Sequence, residues 1–399
     1  MPVYHYKALT ANGTTVSGTF SASDKRQVAE MLAKRQSYPV SIEEKKRIEL
    51  SFNFKTKVRS RDISVFCRQF YAMLNSGVNI LTSLDILRMQ IENKKLRAVI
   101  SECYEDVQKG YSLSGAMKRH PDDFPELLIN MVEAGEASGT LDTVMMRMSD
   151  HYEKEYKLNN KIKNAMVYPI VLLVVAFSVV FFLVTFVMPT FISMFTASGV
   201  ELPLPTRILL AVSYFSQQFW YIILIAFGAI IYGLRRAIAT TEGRMKFDSL
   251  KLRIPFIKKV NEKIIASRFT RTLSTLLGSG IPLLQALENV STIVGNKVVE
   301  KSILKIRDEV RRGQSLADPV QASGHFPPMV DNMIRIGEEA GTMDDLMDKS
   351  ADFYDEEVEV VLQRMTTLFE PIMIVLMGVV IGFIVIAIAL PMFDMVRTV

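Results

Sequence analysis

Three stretches of this chain contain no charged side chain: Asn164 to Val200, Ile208 to Leu234 and Pro371 to Phe393. Each is longer than the roughly 20 residues that a helix needs to cross the hydrocarbon core of a bilayer. In that medium water cannot satisfy free N–H and C=O groups, so an apolar run has to bond its own backbone and become a helix. Three transmembrane helices are therefore expected, over 166–190, 208–234 and 370–393. Buried core helices of a soluble domain would rarely be so long. The apolar fraction of 49% and mean hydropathy of +0.21 over 399 residues fit an integral membrane protein that keeps large polar parts.

The polar parts are duplicated. "GEASGTLD", Gly135 to Asp142, returns as "GEEAGTMD", Gly337 to Asp344. Phe66, Arg68, Leu74, Ser76, Gly77 and Leu81 recur as Phe269, Arg271, Leu277, Ser279, Gly280 and Leu284. After one residue is lost before Phe124 and Phe326, the match continues through Tyr152/Tyr354, Pro169/Pro371 and Pro189/Pro391. The repeat is a whole module: a polar segment, then an apolar helix between two prolines. Within it, Phe66, Phe70, Met73 and Leu74 keep the spacing of one helix face, as do Phe269, Leu273, Leu276 and Leu277. Glycine-bearing breakers fall at matching places, so each copy is expected to be a bundle of about six helices, over 62–165 and 265–369.

The repeated phrase has a backbone explanation. Gly139 and Gly341 suit the left-handed position that ends a helix. Thr140 and Thr342 are expected to cap the next helix, with Asp142 and Asp344 in its first turn. Gly135 and Gly337, one turn earlier, would allow another helix to come close. Glu136 and Glu338 are less well explained by capping; a carboxylate kept in both copies is either a packing hydrogen-bond acceptor or a contact for a partner.

Residues 1–44 read as a small α+β segment, with strand-like alternation around "ANGTT" and a helix-spaced run to Lys34. No cleavable signal is evident in "MPVYHYKALTANG". A basic linker, 45–61, follows, whose charges could meet anionic lipid headgroups. Between the copies, loop 191–207 carries only Glu201 and Arg207, whereas 235–268 holds ten Lys/Arg against three acids. The positive-inside rule places the basic connector 235–264 and both bundles in the cytoplasm and the short loop outside. Three spans then leave the N-terminus cytoplasmic and residues 394–399 external. The fold class expected is an all-α integral membrane protein with two homologous cytoplasmic bundles.

No catalytic, cofactor or metal constellation is found. Phosphate-loop, nucleophile-elbow, zinc-protease and dinucleotide signatures are lacking. Cys67 and Cys103 form no CxxC pair and lie on apolar helix stripes. Tyr168–Pro169 and Glu370–Pro371 mark the entry into the first and third spans; Glu370 could pair with a cation on a neighbouring helix, since such a group is costly in lipid alone. A transporter would need a polar path through spans that hold no ionisable residue. A signalling protein would normally show more than a short external loop.

The chain resembles the inner-membrane platform proteins of type IV pilus assembly and type II secretion, the PilC/GspF family. The resemblance is carried by "YKALTANGTTVSG", "MLNSGVNILTSL", "LLGSGIPLLQAL", both GE-x-x-G-x-[LM]-D phrases, "AMVYP", "TTEGRMKFDSLKLRIPF" and "LFEPIMIV…ALPMF". Together they run through essentially the whole chain. Thr143 departs from the pattern where an acid would complete a capping box. The resemblance implies a non-enzymatic platform in the bacterial inner membrane that binds a cytoplasmic secretion or pilus ATPase. It would pass ATP-driven motion to pilin or pseudopilin subunits, beside other inner-membrane assembly proteins and membrane lipids. It also implies a homodimer or higher homo-oligomer; nucleic acid is not expected as a partner. Pilus assembly and type II secretion both stay open.

Overall fold

The computed structural model describes residues 3–10, 15–22, 24–34, 37–44, 57–191 and 203–398. Most of the basic linker (45–56), most of the loop expected outside (192–202) and Val399 lie outside the described residues. The chain forms two compact units, residues 1–56 and 57–399.

In the first unit, β1 (Val3–Thr10), β2 (Thr15–Ser21) and β3 (Ser37–Glu44) form an antiparallel sheet in the order β2-β1-β3, with α1 (Lys25–Lys34) between the last two. Alternation in β1 puts Tyr4, Tyr6 and Ala8 on one face, where they meet Val28 and Leu32 of α1. Pro39 is tolerated because β3 is an edge strand and needs fewer donors.

The second unit contains both repeats. Among the described residues, the first copy is α2 (Ser60–Asn75), α3 (Ile80–Gln90), α4 (Lys94–Gln108), α5 (Leu113–Met117), α6 (Glu126–Ser138) and α7 (Leu141–Phe182). Next come α8 (Leu204–Ala239) and α9 (Thr241–Arg253). The second copy is α10 (Pro255–Gly278), α11 (Leu283–Ile293), α12 (Lys297–Arg311), α13 (Ala317–Ser323), α14 (Pro328–Ala340) and α15 (Met343–Thr398). α10 starts ten residues before the 265 expected from the repeat (265 − 255 = 10), because Pro255 at its first turn fixes a helical φ without losing a needed N–H.

Gly139 (φ 72°) and Gly341 (φ 68°) are left-handed and end α6 and α14. The next N–H groups, of Thr140 and Thr342, donate to Gly135 C=O (3.0 Å) and Gly337 C=O (3.1 Å). A Cβ on Gly135 would stand 3.2 Å from Leu141 Cα, and one on Gly337 only 2.8 Å from Met343 Cα. The helix brought close is thus the next one in the chain. Thr140 does not cap α7 with its side chain: at φ −111°, ψ 35° it lacks the extended backbone of a capping residue, and its hydroxyl lies 2.7 Å from Ser138 Oγ.

The bundle and the apolar run are one helix in each copy. α7 continues through a π-helical turn, Leu183–Val187, to Phe191, and α15 runs unbroken past Pro371 and Pro391. Leu141–Phe191 and Met343–Pro391 are both long and apolar enough to cross a membrane. α8 meets the far ends of both through Leu209, which packs with Val184, Met188, Ile384 and Ala387. Its polar side chains find the carbonyls that the other two helices leave free. The π-helical turn shifts the hydrogen-bond pattern, and Ser213 and Gln217 donate to Val184 C=O and Thr185 C=O, each at 2.7 Å. Pro391 has no N–H for Ala387 C=O, which accepts from Thr206 Oγ1 at 2.6 Å.

The two repeats join through α7 against α10 and α15. Leu158 packs with Val358 and Leu362, flanked by Ile162, Ala165, Val260 and Ile264. Polar contacts also link the repeats: Arg268 donates to Asn159 Oδ1 (3.1 Å) and Lys154 to Asp352 (3.1 Å) along this joint, and Asn130 Nδ2 of α6 donates to Asn289 Oδ1 of α11 (2.8 Å). Lys161 pairs with Glu359. His151 is buried in the joint, its Nδ1 3.3 Å from Thr275 Oγ1. Thr275 donates to Arg271 C=O (2.8 Å), so its oxygen accepts from His151 Nδ1–H, which places a proton on Nδ1. Burial, reinforced by the positive charges of Arg271 and Lys154, lowers the His151 pKa to about 4.

Two predictions follow from this packing. Gly341→Ala costs only the left-handed backbone, about 1 kcal/mol, because a Cβ there meets nothing within 4 Å. Gly337→Ala costs more, about 2–3 kcal/mol, because its Cβ collides with backbone. Melting of the two variants checks the order; equal losses would remove the close-approach account. Second, the unfolded state binds a proton on His151 below the ordinary histidine pKa while the folded state does not. Folded stability is therefore lost as pH falls from about 6.5 towards 4, by about 2 kcal/mol at pH 5 relative to pH 7. His151→Gln should flatten that part of the melting-temperature profile. A variant as acid-sensitive as the unaltered chain would exclude His151 as the cause.

Candidate functional site

The two glutamates of the repeated phrase do the same thing in both copies. Ser112 and Ser315 lie just before short helices whose first N–H groups have no partner within the helix. The Glu136 carboxylate, presented by α6, accepts from Leu113 N–H (2.6 Å), Ser114 N–H (3.0 Å) and the Ser114 hydroxyl. Glu338, presented by α14, accepts from Leu316 N–H (2.6 Å), Ala317 N–H (3.4 Å) and the Ser315 hydroxyl. A negative charge at a helix N-terminus also meets the positive end of the helix dipole. Both glutamates are half-buried and engaged by their own chain. Gly135 and Gly337 let the following helix cross directly over this clamp, and Gly139 and Gly341 turn the chain into it.

Arg68 and Arg271 occupy equivalent places, and their surroundings differ sharply. Arg68 pairs with Glu153 and leaves 56% of its side chain exposed. Arg271 is 7% exposed and bonds Asp348 (2.7 Å), Asp352 (2.6 Å) and Asp355 (2.8 Å). The first repeat's α7 covers the second arginine, and among the described residues nothing equivalent covers the first. A guanidinium taken out of water needs such partners, since an uncompensated buried charge is strongly destabilising. Beside it lies a cleft of about 460 Å³, lined by Arg147, Asp150, His151, Lys154 and Asp344 among others. The acidic run "DFYDEEVEVV" is thereby largely spent inside the chain: Asp352 and Asp355 on Arg271, Glu357 on Lys263 and Glu359 on Lys161.

In the cleft Lys154 pairs with Asp348 and Asp352, and the Thr275 hydroxyl beside His151 already donates to Arg271 C=O. Among the described residues no group of three or more His, Cys, Asp or Glu side chains is placed to hold a metal ion. Cys67 and Cys103 are buried free thiols; burial raises both pKa values, that of Cys103 to about 12 with help from Asp106 and Glu102. Such thiols are inert.

The residues at the span entrances are placed differently from one another. Pro169 is buried within α7, while Tyr168, Glu370 and Pro371 are exposed. Among the described residues no cation pairs with Glu370. Its expected partner on a neighbouring helix is not found, because the joint's pairs stop at Lys161–Glu359, about three helical turns earlier. A contact that the repeat does not reveal is Asp248 of α9. Nearly fully buried, it accepts from Lys297 N–H (3.0 Å), and its own C=O accepts from Asn296 Nδ2 (3.3 Å). It fastens α9 to the start of α12. Its only sequence signal is that it is an acid in a strongly basic segment.

Comparison with known proteins agrees with this architecture. The family model described as type II secretion system (T2SS), protein F, matches residues 66–189 and again 269–391, and the model for the protein F N-terminal domain matches 1–43. A type IV pilus assembly protein PilC of Thermus thermophilus is 37% identical, over 100% of this chain and 99% of its own length. The PilC of Pseudomonas aeruginosa is 35% identical over 85% of this chain and 91% of its own. A type II secretion system protein F of Vibrio cholerae is 31% identical over 99% and 98% respectively. Two matched repeats, a matched N-terminal domain and full-length relatives leave one assignment: the chain belongs to the type II secretion system protein F family.

Proposed function

We propose that this chain is the inner-membrane platform of a type IV pilus assembly machine, without catalysis of its own. It couples a separate cytoplasmic secretion ATPase to the insertion or extraction of pilin subunits. The observation that carries this is the pair of helices, Leu141–Phe191 and Met343–Pro391, each rooted in a bundle and continuing into an apolar run. A helix that belongs to both compartments offers a displacement imposed on a bundle a continuous path into the membrane, with no loop between them. The pairs between α7 and α15 tie the two bodies together. The relatives named PilC, at 33–37% identity, favour pilus assembly over the platform of a type II secretion system, whose protein F relatives are 29–31% identical.

α8 is proposed as a third span. Its charge-free run and its bonds to Val184, Thr185 and Ala387 carbonyls support this, because such groups have no water to turn to in lipid. The positive-inside rule then keeps both bundles and the N-terminus in the cytoplasm, with the C-terminus outside. Pilins would meet the spans and the ATPase the bundles, and association into a homodimer or larger assembly goes with that role.

Glu136 and Glu338 enter this proposal as positioning residues. Glu136→Lys and Glu338→Lys should each cost about 2–3 kcal/mol, since three donors lose their acceptor and an ammonium meets the helix dipole. Surface fibres should be lost together with the melting temperature, and Gln at either position should restore part of both. Loss of fibres with unchanged melting would instead make these carboxylates the contact for the ATPase. Deletion of the gene decides the wider reading: surface fibres should disappear while secretion of folded exoproteins continues. The opposite outcome assigns the chain to type II secretion, and ATP hydrolysis by the purified chain alone would refute the platform.

A further inference from the structure

α9 has two apolar edges. The inner one, with Leu252 against the core and Met245 beside Lys301, docks on the second repeat around Asp248. On the opposite side Phe247, Leu250 and Ile254 stand 39%, 52% and 37% exposed, about 60° or less apart at helical spacing. By the same spacing Arg244 and Lys251 flank that outer stripe on one side and Lys246 and Arg253 on the other. Lys251 bonds Asp248 (3.0 Å) and lies 4.5 Å over the Phe247 ring. Among the described residues Arg244, Lys246 and Arg253 have no ion-pair partner. Glu242 is the helix's only acid besides Asp248.

The position of α9 says what covers the stripe. The apolar run of α8 ends at Leu234, Arg235 and Arg236 follow, and a single extended residue, Thr240 (φ −81°, ψ 147°), separates the two helices. Thr240 also caps α9 at Gly243 N–H (3.2 Å). The helical rise from Leu234 to the start of α9 is about 8–10 Å. The headgroup zone on each side of the core is about 5–8 Å thick. α9 therefore begins at the outer edge of the headgroup zone, within reach of the phosphates for long basic side chains.

We propose that α9 is an interfacial helix that holds anionic phospholipid headgroups of the leaflet in which α8 ends. Phe247, Leu250 and Ile254 enter the acyl boundary, and Arg244, Lys246 and Arg253 take the phosphates, the arrangement of a basic apolar-striped helix lying in the interface. Asp248, on the opposite face, anchors the second repeat to this helix, so the lipid surface sets how far that repeat stands from the membrane. The inference rests on α8 crossing the bilayer, as proposed above.

The test uses the full chain carrying Trp220→Phe and Phe247→Trp, which moves the only indole onto the stripe. It is placed in phosphatidylcholine vesicles doped with either phosphatidylglycerol or phosphatidylcholine brominated near the headgroup end of the chains. The indole at position 247 should be quenched by both, and about twofold or more strongly by the phosphatidylglycerol. Arg244→Gln, Lys246→Gln and Arg253→Gln together should erase that preference, and so should high salt without any further substitution. Trp220 in the unaltered chain, quenched by lipid brominated at mid-chain, reports the span independently. If Trp220 is quenched and position 247 is not, the interfacial helix is wrong and the span stands. Protection of position 247 from aqueous iodide as well would mean that protein covers the stripe. Equal quenching by the two lipids overturns the headgroup selectivity. An unquenched Trp220 removes the span, and this proposal with it.

Discussion

Inside a bilayer, backbone N–H and C=O groups have no water to turn to, and much of this structure follows from that constraint. α7 and α15 each begin as the last helix of a bundle and continue through Pro169 and Pro371 into their apolar runs. Bundle and span are consequently a single element in both repeats. Where the far ends of these helices release carbonyls, around the π-helical turn and at Pro391, α8 supplies Ser213, Gln217 and Thr206. Unpaired, each would cost several kcal/mol in lipid. The polar strip "SYFSQQ" therefore answers a structural need, which explains why polar side chains occur in an otherwise apolar run.

Duplication supplies two copies of one module, yet the copies are not equivalent once joined. α7 lies on α10 and α15, and no corresponding element lies on α2 and α7. This difference turns the same arginine into an exposed residue at position 68 and a buried one at 271. It also explains why the acid run is confined to the second copy. Three carboxylates are needed around Arg271, and Lys154, Lys161 and Lys263 need partners at the rim. The segment "DHYEKEYKLN" of the first copy provides Lys154 for Asp352 and Asn159 for Arg268, so the two unlike sequences meet along one interface.

The parts legible in the sequence are those determined by local chemistry. Charge-free runs give apolar helices, positive-φ glycines give helix ends, and a conformational phrase repeated at a fixed offset gives equivalent elements. Gly135, Gly139, Gly337 and Gly341 were assigned to close approach and left-handed caps from their spacing alone, and they are found there. Glu136 was ambiguous because its partners, Leu113 and Ser114, lie more than twenty residues away, across a loop whose path the sequence does not encode. Arg271, His151 and Asp248 were missed for the same reason: each is defined by which element happens to cover it. Thr140 misled because cap chemistry depends on backbone angles that the preceding glycine alters.

Rigid bodies that span two compartments need a fixed reference if they are to transmit motion and not merely drift. The joint between α7 and α15 provides one, but it ties the repeats only to each other. Asp248 ties the second repeat to α9, which follows α8 after a single extended residue. Among the described residues the first repeat has no counterpart of the buried Asp248 contact. The second repeat is thus held through two routes, α15 and α8–α9, and the first through one. An element held at two points resists rotation about its own helix, whereas one held at a single point can swing. The first repeat is itself fastened along α7 to α10 and α15, so this joint is the contact through which the two repeats hold one another.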